Sequence, residues 1–347
     1  MSQLRRSFGI DLCVAIHTDV GRVRTNNEDS HGFAWLDDGS LFVIVADGMG
    51  GHEAGEVASG LAVQVVEDVV GREVETDPRE RLYNGLLEAN EAILDEGKTS
   101  GTRGMGTTAI TGIFKGPEIH VGLVGDSRLY HVRRGHMVWR TLDHTRVQML
   151  LDQGEISDEE ARHHPEAGML TRALGHSRMA DGRPLVPDVL EDPIYIEPTD
   201  AVVLSSDGLH DLMEDWEISQ MIAGHTPDEA AQLLVEAACE RGGHDNITVA
   251  VVTVGDRCAE FDPDFMPQTE EEAEAEEEEP ADEIEDVETT FDDVKSEPMH
   301  VAELSSETAS GNSSLMLGGI AVVALVIVGG GFGLFALAAA GLLWANL

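Results

Sequence analysis

His31-Gly32-Phe33-Ala34-Trp35-Leu36, Asp37-Asp38-Gly39-Ser40 and Leu41-Phe42-Val43-Ile44-Val45-Ala46 read as strand, turn and strand, and the second run closes on Asp47-Gly48-Met49-Gly50-Gly51. Gly39 beside two Asp supplies turn chemistry, and strands joined so tightly pair antiparallel. The pattern returns at Ile119–Val124, Ser127–Val132 and Met137–Trp139, again separated by Gly. Between the two groups, Val57, Leu61, Val65, Val66 and Val69 recur at helical spacing, as do Leu82, Leu86, Ile93 and Leu94. Two long amphipathic helices follow, and their apolar faces need a sheet to cover. Farther on, Ala201–Ser205 and Ile247–Val254 are apolar enough for strands buried on both faces, with a helix near Pro227–Arg241 between them. No internal repeat is present at any fixed period. The expected architecture is one α+β domain over residues 10–256, preceded by a tail over 1–9, with two stacked antiparallel sheets flanked by helices.

Formal net charge is −44, and nineteen Asp and Glu fall between Glu260 and Glu297 against the single Lys295. Removing that tail still leaves the first 259 residues at roughly −24, a field that opposes nucleic-acid phosphates. Cys13, Cys239 and Cys258 are too few and scattered for a disulfide framework or a zinc site, which fits reduced cytosolic thiols. Arg5 and Arg6 precede a segment interrupted by Asp11, so a signal peptide is not expected and the globular part should stay in the cytosol.

Acidic residues stand beside Gly or Asn, or at the ends of apolar runs: Glu28 and Asp29 in Arg24-Thr25-Asn26-Asn27-Glu28-Asp29, then Asp47, Asp126 in Gly125-Asp126-Ser127-Arg128, Asp207 in Ser205-Ser206-Asp207-Gly208, and Asp245 in Asp245-Asn246-Ile247-Thr248. Any one alone reads as a turn residue. If the strand ends converge, several carboxylates crowd one pocket and repel unless cations neutralise them. All-oxygen ligands suit Mg²⁺ or Mn²⁺, whereas zinc or copper calls for His or Cys.

The motifs Arg-x-x-Asn-Glu-Asp, Asp-Gly-Met-Gly-Gly-His, Gly-Thr-Thr, Gly-Asp-Ser-Arg, Asp-His-Thr, Leu-Thr-Arg-Ala-Leu-Gly, Ser-Asp-Gly-Leu and Asp-Asn-Ile-Thr-Val occur in that order over Ile10–Val254, roughly 70% of the chain. The set resembles bacterial members of the protein phosphatase 2C family. That resemblance implies a metal-dependent serine/threonine phosphatase with a binuclear Mn²⁺ or Mg²⁺ site at one edge of the sandwich. By matching motif it implies Asp47 bridging both cations, Asp207 and Asp245 completing one sphere, and Glu28 with the Gly48 carbonyl serving the other. Asp29 would orient a water, Asp126 with Asp207 would hold a weaker third cation, and Arg24 would clamp the substrate phosphate. His52 is the candidate proton donor to the leaving alkoxide, although the family's eukaryotic members carry His where this chain has Met49. Asp143 and His144 read as structural, and Thr171 with Arg172 as residues that pack or support the ligands, not as ligands themselves. Arg146–Gly168 matches the position of a mobile flap, with Glu166-Ala167-Gly168 after His164-Pro165 departing from the family's Gln-Arg-Asn.

Two other classes weigh less. An inactive phosphoprotein-binding scaffold sits poorly with a complete acidic set, and a two-metal nuclease sits poorly with the negative charge.

Residues 257–312 are too polar to offset ordering entropy and read as an acidic disordered linker of ~40 Å root-mean-square span. Leu315–Ala345 holds no charged residue, and at ~1.5 Å per residue it exceeds the ~30 Å hydrocarbon layer. Residues 313–347 are therefore expected to form a transmembrane helix, with Gly329-Gly330-Gly331 leaving a kink, tilt or hairpin open. The expected location is the inner membrane, single-pass, with the catalytic domain in the cytosol. Phosphoproteins made by bacterial serine/threonine kinases are the expected partners, the membrane a further one, and nucleic acid none.

Overall fold

Leu41, Val43 and Val45 leave one face of β4 (Leu41–Met49) and Phe42, Ile44 and Ala46 leave the other, all of them fully buried. A strand sealed on both faces must lie inside a layered structure. The computed structural model describes residues 2–50, 53–98, 102–161 and 164–267. His52, the acidic segment beyond 267 and the apolar stretch Leu315–Ala345 lie outside the described residues. Among the described residues, no helix is long and apolar enough to cross a membrane.

With elements numbered along the chain, one sheet runs in the order β1 (Gln3–Ser7), β2 (Ile10–Asp19), β13 (Ile247–Val254), β12 (Ala201–Ser205), β8 (Arg128–Arg133) and β9 (His136–Arg140). The other runs β10 (Asp188–Val189), β7 (Glu118–Val124), β6 (Ala109–Lys115), β4 and β3 (Asp29–Trp35), with β11 (Ile194–Tyr195) on β7 and β5 (Gly106–Thr107) on β4. Every pairing is antiparallel.

Three apolar layers hold the stack. Leu41, Val43 and Val45 meet Val202, Leu204, Ala250 and Val252 between the sheets. Phe42, Ile44 and Ala46 pack under α1 (Glu53–Arg72) and α2 (Pro78–Glu96). On the opposite outer face, Val203, Val249 and Val251 pack under α5 (Asp207–His210), α6 (Asp215–Met221) and α7 (Pro227–Glu240). This is the expected arrangement of two antiparallel sheets flanked by helices. A fully buried cation braces this helical layer: Arg81 donates from Nε and Nη2 to Val70 O at 3.1 and 2.8 Å and from Nη1 to Asp38 Oδ2 at 3.0 Å. The β3–β4 turn is thereby tied to the end of α1.

Both ends of the domain reach beyond the expected boundaries. Gln3–Ser7, within the expected tail, pairs with β2 along its whole length. Past residue 256, Cys258 is buried and its N–H donates to His225 O at 2.8 Å, while Phe261 stacks on His136 with ring centroids 4.8 Å apart. Backbone bonds hold the same stretch: Ala259 N–H donates to Thr199 O at 3.0 Å, Gly224 N–H to Ala259 O at 2.9 Å and Asp262 N–H to Arg134 O at 3.0 Å. The expected flap carries two short helices, α3 (Arg146–Asp152), capped by Thr145, and α4 (Asp158–Ala161).

Candidate active site

The alternation that builds the inter-sheet layer also builds the site. On β4 the inward series Leu41, Val43, Val45 continues to Asp47, and on β3 the inward series of Trp35 and Phe33 arrives at Asp29. Asp29 and Asp47 face each other in register. Across the layer, Leu204 gives way to Ser206, Ala250 to Thr248, and Val14 and Ile16 to Thr18. At this one end of the sandwich, apolar side chains are replaced by carboxylates and hydroxyls. The polar end is therefore a direct extension of the core pattern.

Short hydrogen bonds fix the carboxylates there. Ser206 Oγ donates to Asp29 Oδ2 at 2.8 Å and itself accepts from Thr248 N–H at 3.0 Å. Asp47 N–H donates to Thr108 Oγ1 at 3.0 Å, and Thr108 Oγ1 lies 2.7 Å from Ser127 Oγ, next to Asp126. Asn246 Oδ1 accepts from Glu28 N–H at 2.7 Å, while its Nδ2 donates to the carbonyls of Val20 and Asn26, both at 2.9 Å. One amide thus ties the β2–β3 loop to the loop that precedes β13.

Electrostatically the pocket is overloaded. Burial, then the charges of Asp207 and Asp29, push the Asp47 carboxyl well above its ordinary value. Asp207, at the start of α5 and within hydrogen-bond reach of Asp47, is raised likewise by burial and then by Asp126 and Asp211. Burial raises Asp126 to about 7, with Asp143 as the next contributor, and raises Asp29 to about 6 in spite of its hydroxyl donors. Carboxylates forced together in this way favour protons or cations. Buried Oδ1 atoms of Asp29 and Asp207 accept no hydrogen bond among the described residues.

Glycines open a second part of the site. A Cβ on Gly55 would fall 2.4 Å from Glu28 Oε2 and 2.9 Å from Gly48 O, so these two oxygens converge on the same spot. On Gly48 a Cβ would lie 2.2 Å from Gly55 O and 2.5 Å from Glu28 O, which excludes every larger residue. At the rim, the exposed Arg24 donates from Nη2 to Asp245 Oδ2 at 2.5 Å.

This donor set fits hard divalent cations: orphaned carboxylate oxygens, a paired carboxylate and carbonyl, and no thiol or imidazole among the positioned groups. Among the described residues, no three His, Cys, Asp or Glu side chains close around a single ion-sized point.

Of the residues expected from the sequence, Glu28, Asp29, Asp47, Gly48, Asp126, Asp207 and Asp245 come to this end of the sandwich, with Arg24 at its edge. His52 lies outside the described residues. Asn246, Thr108 and Asp211 were not anticipated. Asp211 follows Asp207 by four residues, one helical turn, a spacing that could have drawn attention to it.

Known proteins share both the sequence and this architecture. Residues 21–236 match the family model described as Protein phosphatase 2C. A serine/threonine phosphatase, stp, of Listeria monocytogenes is 36% identical over 245 residues, 68% of this chain and 93% of that protein. Among solved structures, the serine/threonine phosphatase of S. agalactiae superposes with a TM-score of 0.63 at 32% identity, covering 70% of this chain and 99% of that one. The catalytic domain of the serine/threonine protein phosphatase PstP, solved in complex with two manganese ions, superposes with a TM-score of 0.61 at 34% identity, covering 71% and 99%. The chain belongs to the protein phosphatase 2C family of serine/threonine phosphatases.

Proposed function

We propose that this phosphatase hydrolyses phosphoserine and phosphothreonine in proteins with the help of two divalent cations, Mn²⁺ or Mg²⁺. Asp47 would serve both ions, Asp207 and Asp245 one of them, and Glu28 with the Gly48 carbonyl the other. The observation that carries the reading is the crowding of Asp29, Asp47, Asp126 and Asp207 at the polar end of the sheet stack, with orphaned oxygens on Asp29 and Asp207. Such a pair of cations lowers the pKa of a water towards neutrality and offsets charge on phosphoryl oxygens.

The chain's own groups then orient and exclude. Asp29, held by Ser206, can accept a proton from a water on the cleft side and fix its direction. Arg24 sits at the rim with a planar fork matched to phosphate geometry, and its bond to Asp245 keeps it beside the site. His52 is the proposed donor to the departing alkoxide. Asp126 with Asp207 is the proposed seat of a third, weaker cation.

Tethering through residues 313–347, behind the acidic linker, would place the domain on the cytosolic face of the inner membrane. There it would meet bacterial serine/threonine kinases and their products at raised local concentration. Nucleic acid is not a proposed partner.

Phosphate release from phosphothreonine, phosphoserine and phosphotyrosine peptides, compared between the wild-type chain and Asp47→Asn, tests the reading. Turnover of the first two, lost in the variant, is expected; equal rates for the two proteins would remove Asp47 from the chemistry. Membrane fractionation of cells expressing the full chain tests the tether, and recovery of the protein in the soluble fraction would refute it.

A further inference from the structure

Arg128 opens β8 two residues beyond Asp126, and its side chain is only 16% exposed. Nε and Nη2 donate to the two oxygens of Asp143 at 2.8 and 2.7 Å, a forked pair with both members largely buried. Nη1 reaches Tyr130 Oη at 3.3 Å and Asp215 Oδ1 at 3.4 Å, and Arg140 Nε holds the other Asp215 oxygen at 2.9 Å. A second clip runs alongside: His144 N–H donates to Gly125 O at 2.9 Å, and Gly125 N–H donates to His144 Nδ1 at 3.1 Å. Gly125 has φ +109°, and a Cβ there would stand 2.5 Å from Thr108 Cγ2, so only glycine allows this approach. Asp126 is thus suspended between two anchors, Gly125 on His144 and Arg128 on Asp143.

The charges around Asp126 make this arrangement consequential. Without its partner, the Arg128 guanidinium would be a buried cation two residues from Asp126, with Asp215 Oδ1 at 3.4 Å as its remaining carboxylate contact among the described residues. Without Arg128, Asp143 would be an uncompensated anion beside it. Each group offsets part of the other's field at Asp126, and the fork fixes the pair in one geometry.

We propose that Arg128 is a positioning residue: by engaging Asp143 through both arms of its fork, it keeps its donors off Asp126 and leaves that carboxylate, with Asp207, available to a divalent cation. The inference rests on the cation-binding reading of the site given above.

Titration calorimetry of the full chain with Mn²⁺, paired with thermal unfolding, tests it. Asp143→Asn frees Arg128 and is expected to weaken the weakest Mn²⁺ binding event by about tenfold or more, as loss of a supporting partner does at metal sites. The double variant Arg128→Gln with Asp143→Asn removes both stray charges. It is expected to recover affinity to within about threefold of wild type, although it carries more structural change. A double variant as weak as Asp143→Asn, or an unaltered Asp143→Asn, would overturn the proposal. Should Asp143→Asn not fold, Arg128→Lys replaces the fork by a single contact and is expected to weaken the same event at least about threefold, with the tighter events unchanged; no shift would overturn the proposal equally. If wild type takes up no Mn²⁺ at all, the cation reading itself fails, whereas uptake that is insensitive to all three variants sinks only the role of Arg128.

Discussion

Ser206 donates its hydroxyl to Asp29 Oδ2 at 2.8 Å across 177 residues of sequence, and the bond joins the inner faces of the two sheets where the cleft begins. Ser206 follows the last residue of β12 and Asp29 is the first of β3, so each sheet contributes one end. The bond holds a carboxylate that would otherwise have only Thr248 as a side-chain donor. Ser206→Ala is expected to lower stability by roughly 1.5–3 kcal/mol, the range for a hydrogen bond to a charged group. Activity is expected to fall about tenfold, in line with losses at residues that support metal sites. Urea melts and steady-state kinetics on the one variant check both.

Asp207→Asn should separate stability from function. Asp207 sits beside Asp47, with Asp126 and Asp211 adding to the negative field, so removing its charge relieves repulsion when cations are chelated. In chelator the variant is expected to melt higher, by roughly 2–4 °C per kcal/mol relieved. In Mn²⁺ it should lose about a hundredfold or more of phosphatase activity and most of the thermal gain that cation gives the wild type. Melting curves in both buffers decide it.

How much of this was legible depended on period and distance. The strands β3, β4, β7, β8, β9, β12 and β13 and the helices α1, α2 and α7 announce themselves through alternation or helical spacing of apolar residues. In contrast, β6 carries Gly112 at its centre, and β5, β10 and β11 are two residues long and hold no period. The acidic candidates were readable as Asp or Glu beside Gly or Asn. What brings them together was not, because it needs the register that sets Asp47 against Asp29 and the layer that sets both against Ser206 and Thr248. The roles of Asn246 and Thr108 rest on contacts 19 to 226 residues apart, for which local sequence has no signal.

Two glycines should respond in opposite directions to alanine. Gly48→Ala would drive a Cβ to 2.2 Å from Gly55 O, backbone that cannot step aside, so a loss of about 1–3 kcal/mol and of activity is expected. Gly71 lies in α1 with nothing near its missing Cβ. Gly71→Ala should stabilise by up to ~1 kcal/mol with activity unchanged. Denaturant midpoints of the pair, measured together, check the sign.

Acid stability is expected to turn on Asp200. Burial alone would raise its carboxyl, yet bonds from His131 and Arg133 and from the Glu197 N–H hold it below the ordinary value. A depressed carboxylate stabilises the fold above its unfolded pKa of about 3.9, and that contribution is lost as pH falls from there through the lower folded value. Asp200→Asn should be about 3 kcal/mol less stable at pH 7, the low end for breaking a buried ion pair. Its stability should then fall less than that of the wild type between pH 4 and pH 2. Parallel acid limbs for the two proteins would contradict this.

Chain length gives another test. A protein ending at Arg257 lacks the buried Cys258 and the Phe261 stack on His136, whereas one ending at Pro267 keeps both. The shorter protein should be less stable by about 2 kcal/mol or more, given the apolar area it exposes. Differential scanning calorimetry of the two compares them directly.

The claim on which the account stands is that hydrolysis runs on cations gathered by acidic groups from both sheets. Phosphate release from a phosphothreonine peptide by the purified full chain, first in chelator and then with excess Mn²⁺, measures it most directly. Turnover is predicted to be absent in chelator and restored by Mn²⁺, with Asp47→Asn inactive in both. Undiminished turnover by the chelated wild-type chain would contradict it.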